Sequence, residues 1–245
     1  MKALSAIAFW ALVAFAFLGV CGSRTALAQQ AASGAPVTEK LPPDVRPDTL
    51  GRNARVKRED LATEEEKQTF DRVLAMSPVD SREHLFKGWL GPSGTRMLIP
   101  EVAELAIKQN FMVRDKSGLD PKYRELAILV ATRECDNKSE FVDHAAREID
   151  QKRLGPHVIE VVQKRQDTKG LEEKEALVIQ FGRELFNQPK VSSKTFAGVE
   201  RNFGEKGTLG ITMTMGYYVS NALLMRAYDT QLFRRNGEPP PASPW

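Results

Sequence analysis

Cysteine is nearly missing from this 245-residue chain: there are two, Cys21 and Cys135. Cys21 lies in an apolar stretch expected to be removed, so Cys135 has no partner within the chain and an internal disulfide is excluded. Histidine is equally sparse, with His84, His144 and His157 the three present. No HExxH pattern occurs and no second histidine or cysteine stands at ligand spacing, so no metal site is expected, and no cofactor-binding motif is found. An excess of one charge is also lacking, with 35 Lys and Arg against 32 Asp and Glu. Without a clustered basic stripe the chain cannot neutralise a run of phosphates, which excludes a nucleic-acid partner. Strand signals are missing too: no stretch alternates apolar and polar residues between hairpin turns.

Long apolar runs are confined to the first residues, MKALSAIAFWALVAFAFLGVCGSRTALAQQ. The run of about 15 residues is short against the roughly 20 that a bilayer core requires, and Ala26, Leu27 and Ala28 form the small-x-small pattern of a signal peptidase site. Residues 1–28 therefore read as a cleaved signal peptide, with a membrane anchor and a lipoprotein signal at Cys21 as the alternatives. The expected mature chain is periplasmic or secreted and no longer associated with a membrane. Loss of the first 28 of 245 residues leaves 217, enough for one domain with a sizeable core. Residues 29–57 are rich in Pro, Gly, Ala and charge without apolar periodicity and read as an extended arm. Residues 233–245 read as a flexible tail, with Trp245 available to dock.

Residues 58–232 carry helical signals throughout. LATEEEKQTFDRVLAM opens with Thr63 as cap and Glu66 three residues on, a capping-box spacing. LDPKYRELAILVATREC opens with Asp120 as cap and Pro121 in the first turn. SSKTFAGVERNFG and TLGITMTMGYYVSNALLMRAYDTQLF read as two further helices. The domain is expected to be all-α. RELAILVA (124–131) and KEALVIQF (174–181) each place a glutamate before a run that is apolar nearly all round, which draws Glu125 and Glu175 toward the core. A buried carboxylate must be paired, protonated or used. For Glu175 a salt bridge to a neighbouring helix is expected.

The chemistry-bearing stretch is ECDNKSEFVDHAARE, residues 134–148. Glu140 and His144 stand four apart, which puts both on one helical face as an acid and base pair. The short CDNKS turn folds this helix back against the one headed by Glu125. Glu125 and His144 are thus expected to meet within about 3 to 6 Å, in one pocket with Glu140, where like charges raise the pKa of one acid. His84 and His157 have no such partner and read as surface or capping residues.

The succession PKYRELAILVATRECDNKSEFVDHAARE, GPHVIEVVQKRQ and the segment from EKEALVIQF to MGYYVSNALLM resembles the carboxymuconolactone decarboxylase family, related to alkyl hydroperoxidase D. The resemblance spans roughly residues 58–232 and includes the Gly216, Tyr217, Tyr218 triplet. It implies a compact all-helical fold assembled as a homotrimer or homohexamer around a small-molecule substrate. Glu125 then corresponds to the family's proton-relay glutamate and His144 to the histidine closing its motif, while Asn137 and Glu140 occupy the places of the two C-x-x-C cysteines of peroxidase members. Cys135 is out of register and alone, and a thiol cycle in one chain needs two sulfurs. The expected activity is therefore metal-free decarboxylation or isomerisation of a small lactone or carboxylate. Glu125, Glu140 and His144 are the expected catalytic groups, Arg124 and Arg133 seats for the substrate's acid groups, and Tyr217 a lining residue. Two other classes stay open: a non-catalytic oligomeric binding protein, and a thiol-dependent antioxidant using Cys135.

Overall fold

The computed structural model describes residues 56–76, 91–229 and 244–245. The expected signal, nearly all of the arm, His84 and most of the tail lie outside the described residues. Among the described residues, a 3-10 turn at Arg58–Asp60 is followed by eight helices: α1 (Glu64–Met76), α2 (Gly91–Arg96), α3 (Pro100–Lys116), α4 (Pro121–Glu134), α5 (Lys138–Asp150), α6 (Pro156–Gln163), α7 (Glu173–Asn187) and α8 (Ser193–Ala227). No strand occurs among the described residues. None of their helices is long and apolar enough to cross a membrane.

Local chemistry starts these helices where the sequence signals it. Thr63 Oγ1 accepts from the Glu66 amide at 3.1 Å and Glu66 Oε2 accepts from the Thr63 amide at 2.8 Å, so both halves of the capping box form. Asp120 accepts from the Lys122 amide at 2.8 Å. Pro100, Pro121 and Pro156 sit at the first positions of α3, α4 and α6, where a missing N–H costs nothing. α4 ends in a reverse turn in which the Asn137 amide donates to the Thr132 carbonyl and the Asp136 amide to the Arg133 carbonyl. Asp136 takes the left-handed conformation there, at φ 55°. Asn137 then caps α5 by accepting from the Glu140 amide at 3.3 Å. One turn thus reverses the chain and lays α5 along α4.

The all-round apolar run makes α4 the central helix. Leu126, Ala127, Ile128, Leu129, Val130 and Ala131 are all fully buried, against α8, α7, α5 and α6. Each buried Leu or Ile contributes roughly 1.5–3 kcal/mol relative to exposure. A smaller core of Val56, Leu61, Phe70, Val73, Met97 and Ala103 joins α1 to α2 and α3. At the other acid-headed run, Lys122 Nζ lies 2.9 Å from Glu175, so that glutamate pairs across to α4.

One feature departs from the sequence reading. The last two expected helices run on as one, α8, kinked at Gly204 with φ 69° and ψ 173°. Glycine allows that conformation without the Cβ clash other residues would meet. Trp245, which the sequence left available to dock, is docked: its Nε1 donates to Asp136 Oδ1 at 2.6 Å, its ring covers the Arg133 guanidinium at 4.3 Å, and Phe141 meets it edge-on at 5.0 Å.

Side chains from α4 and α8 crowd α7 at Gly182. A Cβ there would fall 2.4 Å from Val130 Cγ1 and 2.9 Å from Met215 Cε. In an open helix Gly→Ala stabilises by about 1 kcal/mol; here overpacking reverses the sign, and Gly182→Ala should destabilise by about 1–3 kcal/mol in urea unfolding. A variant as stable as the parent would show that the three helices have slack at this crossing.

Candidate functional site

Glu125 opens the buried face of α4 and is 2 % exposed; His144, on α5, is 5 % exposed. Their side chains meet directly, with His144 Nδ1 2.7 Å from Glu125 Oε2. The other glutamate oxygen, Oε1, faces Arg114 Nη1 at 3.9 Å and Arg124 Nη2 at 3.6 Å. Burial pushes the Glu125 carboxyl up, but the hydrogen bond to His144, its charge and the two guanidinium groups outweigh this and hold it at about 2. An ionised carboxylate only accepts, so the proton of this contact sits on His144 Nδ1. His144 Nε2 lies 3.1 Å from Tyr218 Oη on α8. Burial, and after it the charge of Glu140, drives the Tyr218 phenol well above its ordinary range. Its O–H therefore stays protonated; it donates to Nε2 when His144 is neutral and accepts from Nε2–H when His144 is charged. The chain of contacts runs carboxylate, imidazole, phenol.

Glu140 shares the α5 face with His144 but is held by different groups. Asn137 Nδ2 donates to its Oε2 at 2.6 Å, and Asn221 Nδ2, from α8, donates to its Oε1 at 2.7 Å. Burial pushes this carboxyl up to about 8, against the two amide hydrogen bonds and the positive charge of Arg96. The expected like-charge effect is thus corrected in cause and in place. The raised acid is Glu140, desolvation raises it, and the acid that adds to the effect is Asp143 rather than Glu125. Glu125 moves the opposite way because cations surround it. Two carboxyls whose surroundings drive their pKa values apart can serve as acid and base at one pH.

The remaining expected residues separate. Tyr217 is half-buried, edge-on to Tyr218 at 5.7 Å, with the Arg96 guanidinium 5.2 Å above its ring. Arg124 lies at Glu125 as described, with its Nε buried and without a hydrogen-bond partner. Arg133 is placed elsewhere: its Nε donates to the Gln163 carbonyl at 2.7 Å and its plane stacks on Trp245. It ties α4 to α6 and the tail, and shares no contact with Glu125 or His144. Cys135 is half-buried and burial raises its thiol; His157 is exposed. Among the described residues no three of His, Cys, Asp and Glu are grouped to hold a metal ion.

Sequence reasoning passed over Tyr218 as a site residue, and also Asn221, Arg96 and Arg114. One signal was present for two of them: Tyr218, Asn221 and Met225 recur at helical steps of three and four in an otherwise apolar helix, and a buried asparagine there needs a partner. No protein-family model matches this chain, and no curated protein does.

Proposed function

We propose that the protein is an exported acid/base enzyme, carboxy-lyase-like or isomerase-like, acting on a small lactone or carboxylate without metal or cofactor. The resemblance to the carboxymuconolactone decarboxylase family leads to this reading, with a homotrimer or homohexamer as the assembly. The observation that carries it is the opposed pair of carboxyls: Glu125, ionised and bound to His144, and Glu140, one helical turn before that histidine and protonated up to about pH 8.

In a butenolide carrying a carboxylate, the bond to that carboxylate breaks and CO2 leaves. The electron pair moves through the conjugated C=C onto the lactone carbonyl oxygen, and the resulting dienolate takes one proton at carbon. Tyr218 Oη, accepting from Nε2–H of a charged His144 that Glu125 holds, donates its one hydrogen to the developing oxyanion. Glu140 delivers the proton and is reprotonated from water. A γ-carboxy-γ-butenolide incubated with the purified protein should lose its ring absorbance and release CO2. Glu140→Gln should slow this by about 10²- to 10⁴-fold, and the parent's rate should fall above about pH 8 as Glu140 loses its proton. Absence of CO2 release from the parent across a set of such lactones would set the reading aside.

The second reading is a non-catalytic binding protein. It is favoured by the saturation of the groups themselves, since both nitrogens of His144 and both oxygens of Glu140 have protein partners. The thiol reading is opposed by the raised, half-buried Cys135.

A further inference from the structure

Residues 135–137 form the elbow that folds α5 back on α4, and each of them is held by a different partner. The Cys135 carbonyl accepts at 2.8 Å from Nη2 of Arg226, in the last turn of α8. The Asn137 side chain donates to Glu140 at 2.6 Å and lies 3.5 Å from Met225 Sδ. Asp136, the residue in the left-handed conformation, accepts from Trp245 Nε1 at 2.6 Å. The first two partners stand on helices that pack at this elbow. The third belongs to no helix, and residues 230–243 separate it from α8.

Trp245 is engaged through its ring, its N–H and its neighbour's backbone. The ring lies over the Arg133 guanidinium at 4.3 Å and 5.9 Å from Lys138 Nζ, distances at which its quadrupole attracts a cation. Phe141, 2 % exposed, closes the floor edge-on. The Pro244 carbonyl accepts at 2.6 Å from Nε2 of Gln163, the last residue of α6. An indole combines a large ring with an N–H that only donates, and the acceptor set against it here is a carboxylate. Phenylalanine lacks the donor, and tyrosine carries its O–H at another point of the ring. Arg133, expected from the sequence to seat substrate, instead gives its plane to this socket and its Nε to the Gln163 carbonyl.

The geometry points to a latch: Arg133, Asp136, Lys138, Phe141 and Gln163 form an indole socket at the α4–α5 elbow, and Pro244–Trp245 of the same chain closes it, holding the first turn of α5 and with it the Asn137 hydrogen bond to Glu140. The occupant is the chain's own segment because α8 also ends at this elbow, where Arg226 touches Cys135. The residues flanking 230–243 on both sides are therefore anchored at one place. Such tethering gives an effective concentration on the order of millimolar, far above that of a second copy in dilute solution. The latch does not depend on the lyase reading, since it concerns what holds Glu140 and not what Glu140 does.

Hydrogen exchange of the full-length protein provides the test. It is followed at the Glu140 and Phe141 amides, which donate to Asn137, with the α7 amides as reference. Trp245→Ala should lower protection of those two amides about tenfold or more while α7 keeps its own, the mark of a local opening. Trp245→Phe, which keeps a ring and loses the N–H, should lose part of that protection. In the parent, protection should stay constant over about a hundredfold range of protein concentration, as an intramolecular contact requires. Unchanged protection in Trp245→Ala overturns the latch. An equal loss at α7 does so too, because Trp245 would then support the whole fold with no particular hold on α5. Trp245→Phe behaving as the parent removes the indole reading, and protection that rises with concentration puts a second copy's Trp245 in the socket and overturns the intramolecular latch.

Discussion

Glu125→Ala should cost about 3–5 kcal/mol of stability, the range seen when one partner of a buried charge pair is removed. The loss follows from what is left behind: His144 Nδ1–H without its acceptor, and Arg114 and Arg124 facing a vacated, 2 % exposed position. Glu125→Gln separates charge from space. Its amide oxygen can still accept from Nδ1, so it should lose less, about 1–3 kcal/mol. The pH dependence identifies the cause. A carboxyl held at about 2 in the folded chain and near 4.5 unfolded contributes stability that is present above pH 4.5 and lost as pH falls toward 2. That contribution is on the order of 3 kcal/mol, and it should be missing from the acid limb of both variants in urea unfolding monitored by circular dichroism. If Glu125→Gln unfolds like the parent at pH 7 and keeps the parent's acid limb, the His144 contact carries no net stabilisation.

Glu140→Gln should have the opposite effect at the other end of the pH scale. The folded chain keeps a proton on Glu140 up to about pH 8, whereas the unfolded chain releases it near 4.5. The native state therefore binds more protons across that window, and stability contributed by this group is full below 4.5 and lost as pH rises toward 8. One group sets a slope of at most about 1.4 kcal/mol per pH unit. Glutamine is neutral at every pH, so the variant's melting temperature should hold between pH 5 and 8 while the parent's declines, and the two curves should diverge as pH rises. The geometry tolerates the change, because rotating the Asn221 amide by half a turn presents its unpartnered Oδ1 to a donor in place of Nδ2. The same rotation accommodates the O–H of protonated Glu140. Parallel melting curves for parent and variant would mean that Glu140 is ionised in the folded chain at neutral pH and cannot deliver a proton.

These two carboxyls differ in how much of their setting the sequence carried. The Glu125 to His144 contact was legible because it is local: 19 residues separate the pair, and the turn between α4 and α5 is written in Asp136 and Asn137. Caps such as Thr63 with Glu66, and Asp120 with Pro121, were legible for the same reason. The partners from α8 were not, since Tyr218 lies 74 residues from His144 and Asn221 lies 81 from Glu140. A single sequence shows that α8 from Thr208 onward is largely apolar, but the angle at which its polar side chains point is fixed by packing against α4, α7 and α3. Arg96 was still less visible, because GPSGTR has no periodicity and the arginine's burial comes from a helix more than 120 residues away, where Ser220 meets it at |i−j| 124. The misplaced cause of the raised pKa has the same origin: spacing indicates that two acids are near one another, but not which one the arginines surround.

α8 brings Tyr217, Tyr218, Ser220 and Asn221 to the site within little more than one turn, all beyond its kink at Gly204. These contacts therefore share one mechanical degree of freedom. Side-chain ends ride about 6 Å from a helix axis, so a roll of only about 20° carries them about 2 Å, enough to break a hydrogen bond. Such a roll would release His144 from Tyr218, Glu140 from Asn221 and Arg96 from Ser220 in the same movement. The relay, the proton donor and Arg96 would then engage or disengage together, and a perturbation anywhere along α8 beyond Gly204 would register at all three as a common-mode change rather than as separate local effects.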